Sequence, residues 1–301
     1  MNEVPYIFYE TVIAHLPDTI HKQDFAQLSK VWPSVAAECQ RKFRYFDVRI
    51  FLDKDGQDDS YEVRDSEDSN YSLIDIDELC ETPRPEFLNF KAILILHGNA
   101  HESVQISRER LTNWLLPLLS RLTRTSTHLL LWSKDPLPEG FAPILLRDSL
   151  IGNFNLMWSE GIEAHVRNLL EHTRFIESMR LDPNNWSHSI VEQAVEKFFN
   201  GEIEDLDVSS LWLVTHSFVV QFLDLIRRTR GMRRLCFTGG IALKWSQIEK
   251  LLKDFRMISS KADGFFRNQR KQTYELPGTK RQLQIYGDGC GQFGIFQFKV
   301  C

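Results

Sequence analysis

Cysteine is scarce and unpatterned in this sequence. Five occur, Cys39, Cys80, Cys236, Cys290 and Cys301, with no C-x-x-C pair among them. Neither a zinc site nor a disulfide framework is suggested, and a reducing cytosolic or nuclear setting is expected. Long apolar runs are missing, since none approaches the roughly 18–20 residues that cross a bilayer. The opening residues lack the basic-then-apolar pattern of a secretory leader. There is no Gly-Lys-Ser/Thr phosphate loop, and no histidine follows His216. No cofactor, metal or membrane partner is therefore expected. What remains is a chain 43% hydrophobic and 26% charged, a composition ordinary for a globular fold of one or two domains.

Charge is unevenly spread. Residues 53–82 hold twelve acids against Lys54 and Arg64, a balance of −10. Residues 227–281 hold fifteen Lys/Arg against four acids, a balance of +11. An acidic solvated loop and a basic solvated face account for both. Nucleic acid is not an expected partner, because the basic residues follow no recognised nucleic-acid module.

The first fifty residues carry three short helical patterns. Pro5 suits a first helical turn, and Phe8, Val12, Ile13 and Leu16 then recur on one face. Pro17-Asp18 ends that run. A second helix reads Phe25, Leu28 and Val31 or Trp32. Pro33 opens a third, with Val35, Ala36 and Cys39, which leaves through the basic Arg41-Lys42-Phe43-Arg44. This unit is too small to enclose a core, and its apolar surface calls for a partner.

Val4-Pro5, the Val12-Ile13-Leu16 helix, Leu28 with Val31, and Trp32 follow the order of an F-box, which residues 3–46 resemble. Val4 stands where that family usually has Leu, and Pro33 follows the Trp directly. The resemblance implies docking on the Skp-type adaptor of a cullin–RING ubiquitin ligase complex. It makes Val4, Pro5, Val12, Leu16, Leu28, Val31 and Trp32 the adaptor-binding residues. An N-terminal helical cap packed on the same chain, in a stand-alone interaction scaffold, is the alternative.

Downstream, Phe46, Val48, Ile50 and Leu52 alternate as a strand, and Asp55-Gly56 signals a turn toward a partner strand at Tyr61-Val63. A template with apolar residues at offsets 0, 3 and 5 then recurs. Ile176/Met179/Leu181, Ile203/Leu206/Val208 and Met232/Leu235/Phe237 fit it. Phe90/Ile93/Ile95 fits upstream, Leu129/Leu131 fits with Ser126 in the first slot, and Leu156/Trp158 fits with Asn153 there. Helical patterns lie between: Leu111/Leu115/Leu118/Leu119/Leu122, Val166/Leu169/Leu170 with Phe175, Val191/Val195/Phe198/Phe199, Phe218/Phe222/Leu223/Ile226 and Ile248/Leu251/Leu252/Phe255. One strand and one helix per roughly 25–30 residues resembles a degenerate leucine-rich repeat, without its signature asparagine except loosely at Asn184-Asn185. An ordinary open parallel α/β sheet is the other reading. Gln282–Tyr286 and Ile295–Val300 alternate as a terminal hairpin.

The expected fold is α/β. An F-box-like three-helix unit (1–46) precedes a repeat domain (47–301) with a curved, mostly parallel sheet, an acidic loop (53–82) and a C-terminal β-hairpin (282–300). Together these features resemble the F-box-like families expanded in nematodes. The resemblance implies a non-catalytic adaptor that recruits an unidentified target protein for ubiquitination.

No enzyme reading gathers support. His97-Gly98 and Ser217 superficially match a hydrolase's oxyanion loop and nucleophile elbow. Thr215 and Val219, however, occupy places that need small residues. Ser217 is expected to cap a helix instead. Gly289-x-Gly291-x-x-Gly294 has dinucleotide spacing but precedes a β-run rather than a helix. His97/His101 fall in a loop, and His165/His172 on a polar helix face. Trp132, Trp158, Trp186, Trp212 and Trp245 lie at repeat boundaries, where aromatics either pack or anchor a partner.

Overall fold

The computed structural model describes residues 31–67, 73–81, 87–98, 102–123, 127–133, 135–147, 151–182, 185–209, 211–228, 235–262, 269–276, 281–288 and 295–300. Two compact units divide the chain. One is residues 1–154 with 159–165, the other residues 155–158 with 166–301. The fold is mixed α/β.

In the first unit, helix α1 (Val31–Lys42) leads directly into strand β1 (Arg44–Leu52). Pro33 lies in the first described turn of α1. β1 pairs antiparallel with β2 (Ser60–Asp65), in the register Val48↔Val63 and Ile50↔Tyr61. It pairs in parallel with β3 (Leu88–His97), and β3 in parallel with β5 (His128–Trp132). The two-residue β4 (Val104–Gln105) adds to the outer edge of β2. Helix α2 (Ile76–Cys80) is capped by Asp75, whose Oδ1 accepts from the Asp77 N–H at 2.9 Å.

Between β4 and β5 runs α3 (residues 108–122), helical except for a π-turn at Leu111–Leu115. Pro117 follows that turn. A widened turn relieves the clash between a proline ring and the carbonyl four residues back. Leu111, Leu115 and Leu119 of α3 are buried, as are Val48, Ile50, Ile93, Ile95, Leu129 and Leu131 of the sheet, and the Leu116–Leu122 part of α3 packs on β3. This is a period-two sheet face meeting a 3.6-period helix face. A second π-turn, Pro143–Arg147, carries the buried Leu145 and Leu146.

The acidic segment is not a solvated loop throughout. Within residues 53–82 the described structure includes β2 and α2. Asp59 and Glu62 are buried, because each meets arginine. Arg108 binds both carboxylate oxygens of Asp59, and Arg64 and Arg49 lie 3.0 and 3.8 Å from Glu62. At the turn itself, Gln57 donates its N–H to Asp53 Oδ2 at 3.1 Å. That bond, foremost among several from nearby backbone, holds the Asp53 carboxyl below its usual range.

Strand β6 (Asn153–Leu156) and helix α4 (Ile162–His172) span the passage along the chain from one unit to the other. In the second unit, β7 (Ile176–Leu181), β8 (Ile203–Asp207) and β10 (Leu235–Ile241) run parallel. They are connected through α5 (His188–Phe199) and α6 (His216–Arg228), with the short β9 (Leu213–Val214) on β10. Ile176, Met179 and Leu181, then Ile203, Leu206 and Val208, are all buried, so the 0/3/5 template marks buried positions on each strand. Met232 lies outside the described residues, but Leu235 and Phe237 complete their unit as expected.

After α7 (Trp245–Leu251) the chain builds more than a hairpin. β11 (Arg256–Ala262), β12 (Gln269–Glu275), β13 (Gln282–Asp288) and β14 (Ile295–Val300) form an antiparallel meander. β14 inserts between β13 and β10, with Leu235↔Val300 and Phe237↔Phe298. The expected mostly parallel sheet is therefore mixed. Parallel pairing holds for β1–β3–β5, β7–β8–β10 and β9–β10, and antiparallel pairing for β1–β2–β4 and β10–β14–β13–β12–β11. Gly239 has no room for a side chain: a Cβ would sit 2.7 Å from the Phe237 ring and 3.1 Å from the Trp212 carbonyl.

The buried end of β12 has a pH consequence. Tyr274 donates its hydroxyl to Gln272 Oε1 at 2.8 Å. Burial, and secondarily the Glu249 charge, raises its pKa above the ordinary value of about 10. The phenol is thus held neutral in the fold. Its contribution is intact below the unfolded pKa and declines as pH rises from there through the folded value. Urea midpoints measured across that alkaline range should fall in the native protein, and fall less steeply in Tyr274→Phe.

Candidate protein-interaction surfaces

Most of the positions expected to bind an adaptor lie outside the described residues. Val4, Pro5, Val12, Leu16 and Leu28 lie outside the described residues. Val31 and Trp32 belong to α1, where Trp32 is half-buried, and Val35, one turn later, is fully buried.

Strand register brings together residues that are far apart in sequence. In the first unit the sheet face opposite α3 carries the row Ser60–Phe51–Leu96–Trp132 and, beside it, Glu62–Arg49–Leu94–Leu130. Directly paired residues project to the same face, so Phe51, Leu94, Leu96 and Leu130 form one apolar stripe. All four are half-buried, and Trp132 at its end is 53% exposed. A contiguous apolar patch ending in an exposed tryptophan is a protein-contact signature.

The corresponding face of the second unit is polar. Its rows read Arg180–Asp207–Thr238–Gln297–Tyr286–Lys271 and Ser178–Asp205–Cys236–Lys299–Gln284–Thr273. Many of these side chains hold one another. Arg180 lies 3.5 Å from Asp207, Tyr286 donates to Gln284 at 2.8 Å, and the Lys271 ammonium sits 4.6 Å from the Tyr286 ring centroid. Gln297 Nε2 donates to Cys236 Sγ at 3.4 Å. This face offers hydrogen bonds and charge rather than apolar anchors.

The other boundary tryptophans pack or bond internally. Trp186 is buried and donates Nε1 to Asp182 at 3.2 Å, the carboxylate that also accepts the Trp158 N–H at 3.0 Å. Trp212 stacks on His188 with centroids 5.9 Å apart. Trp245 lies under the Arg270 guanidinium, which is 5.1 Å from its ring centroid.

The chemistry-bearing candidates find structural roles. Thr215, not Ser217, caps α6, with its Oγ1 accepting from the Phe218 N–H at 3.3 Å. The cap falls one position before the helix starts at His216, which places Ser217 within its first turn. His97 Nδ1 meets Ser133 Oγ, and Ser133 also donates to the Asp135 carbonyl at 3.0 Å. His101 and Gly289, Gly291 and Gly294 lie outside the described residues, but the glycines fall between two paired strands rather than before a helix. Among the described residues no group of three His, Cys, Asp or Glu is placed to hold a metal ion, and no helix is long and apolar enough to cross a membrane. Compared with protein-family models, curated proteins and solved structures, the chain has no match.

Proposed function

We propose that this chain is a non-catalytic adaptor. Its F-box-like N-terminal helices would dock on a Skp-type partner within a cullin ubiquitin ligase, in the cytosol or nucleus. Its strand–helix repeats, stacked as a curved leucine-rich-like domain, would hold the target protein. Tethering raises the target's effective concentration at the ligase, so no catalytic residue is required. The observation that carries the recognition role is the apolar row Phe51–Leu96–Trp132, half-buried along the sheet and 53% exposed at Trp132. The run of α1 through Pro33 and straight into β1 supports the order F-box, then repeats.

The test is co-purification of the full chain with a Skp-type adaptor. Leu28→Ala combined with Trp32→Ala should abolish capture while leaving the far-UV circular dichroism spectrum unchanged. Trp132→Ala should leave adaptor capture intact. Failure of the unsubstituted chain to bind any Skp-type adaptor would sink this reading. Full burial of Val35 favours a second one, in which α1 is part of a cap on a stand-alone scaffold. In that case the Leu28/Trp32 double variant would lower the melting temperature rather than cost a partner.

A further inference from the structure

A pocket of about 210 Å³ opens at the outer edge of β2, in the first unit. Two short segments share that edge. Val104 pairs with Tyr61, while Leu73 bridges to Arg64 and Ile74 donates its N–H to the Val63 carbonyl at 2.9 Å. The pocket lies where they meet. Tyr61 and Ile106, both buried, contribute to its lining. Leu73 and Val104 also line it, and they are 44% and 46% exposed. Two large apolar side chains left half in water around one cavity are an unfavourable arrangement that an apolar occupant relieves. The volume is below the roughly 300–1,000 Å³ of small-molecule sites, and suits a single inserted side chain.

Charge selects that side chain's neighbours. Asp75 and Asp77 line the pocket, and Glu78 follows them, all exposed. Among the described residues Arg110 is the one cation in the lining, and it is already engaged with Asp77 at 3.4 Å. Both members of that pair are more than half exposed, so it costs little to open. The exposed acids Asp75, Asp77 and Glu78 outnumber that arginine. A ligand arriving here meets an apolar hole in a negative field.

We infer that this pocket is a docking site for a basic segment of a partner protein, with one apolar side chain inserted between Leu73 and Val104 and flanking Lys or Arg residues facing Asp75, Asp77 and Glu78. The acidic stretch thereby acquires a role in recognition. The site is separate from the Trp132 stripe and does not depend on coupling to a ligase.

The test uses the full chain and fluorescein-labelled synthetic peptides read by anisotropy. Each peptide has a central Leu, Met, Phe, Trp or Val with two Lys/Arg on either side. Controls replace the central residue by Ser or the basic residues by Glu. At least one apolar-centred peptide should bind at least about tenfold more tightly than its Ser control, the affinity equivalent of burying one such side chain. Binding should weaken between about 50 and about 300 mM salt as screening grows. Val104→Arg and, independently, Leu73→Lys should each remove the preference for the apolar centre, in proteins whose melting temperatures show them folded. Equal binding of Ser-centred peptides, or unchanged preference in both variants, would leave only diffuse attraction to acids and overturn the proposal. So would binding of no basic peptide, or a concentration-dependent dimer abolished by Val104→Arg, which would make the occupant a second copy of this chain.

Discussion

Replacing Arg108 by methionine should destabilise the first unit by about 3–5 kcal/mol, the cost of leaving a buried carboxylate without its partner. The guanidinium holds three acceptors. Nε binds Asp59 Oδ2, and Nη2 reaches Asp59 Oδ1 and the Asp53 carbonyl, each at 2.8 Å. Asp59 is fully buried and also accepts the Asp53 N–H at 2.9 Å. The cluster ties the turn between β1 and β2 to the start of α3. Methionine keeps much of the side chain's volume, so the loss is electrostatic rather than a cavity. Asp59→Ala in the Arg108→Met background should recover part of the loss, because no charge is then stranded. A double-mutant cycle by urea unfolding measures the coupling, and strictly additive effects would count against this account. Gly56 belongs to the same device. Its φ of +72° suits glycine, and a Cβ there would lie 3.2 Å from Arg108 Cζ.

Phe222→Ala should cost the second unit a similar amount, about 3–5 kcal/mol, through lost transfer energy and the cavity left behind. The ring is fully buried among Phe198, Phe218 and Phe298, with centroids 6.0, 6.2 and 5.3 Å away. Phe218 in turn sits 4.3 Å from Phe237. α5, α6, β10 and β14 thus share one aromatic core, in which no single neighbour can collapse into the gap without disturbing the others. Phe222→Leu, which keeps more volume, should cost less. Phe175→Ala is the control: that ring is 48% exposed and should shift stability by no more than about 0.5 kcal/mol. Equal losses at positions 175 and 222 would refute the burial argument.

The contrast between those two phenylalanines shows what sequence pattern resolves. The 0/3/5 template located buried residues of β3, β5, β7, β8 and β10, because apolar side chains recur there at fixed offsets. Phe175 sits just before β7, beyond the helical period of α4, and pattern alone extended the apolar face one residue too far. β11 and β12 escaped notice for the opposite reason. Their buried positions include Gln272 and Thr273, polar residues on opposite faces of β12 that read as surface. Gln272 Nε2 bonds Glu249 on α7 at 2.8 Å, a partner supplied by another element. Asp59 likewise looked solvated because its cation lies 49 residues away. The candidate contact stripe was hidden for a related reason. Phe51, Leu96 and Trp132 come from three separate strands, and only their register makes them neighbours. Thr215 and Ser217 both suit a cap, and only the point at which α6 begins chooses between them.

The position of β14 bears on how this protein is made. β10 leaves the ribosome about sixty residues ahead of the strand that becomes its antiparallel neighbour. At about 5–20 residues per second, that is a wait of about 3–12 s. For that interval the edge of β10 is bare, with Leu235 and Phe237 lacking Val300 and Phe298 beside them. Pairings so distant in sequence also close slowly. Nascent chains stalled between residues 241 and 295 should therefore be the species most prone to aggregate and most avidly held by chaperones.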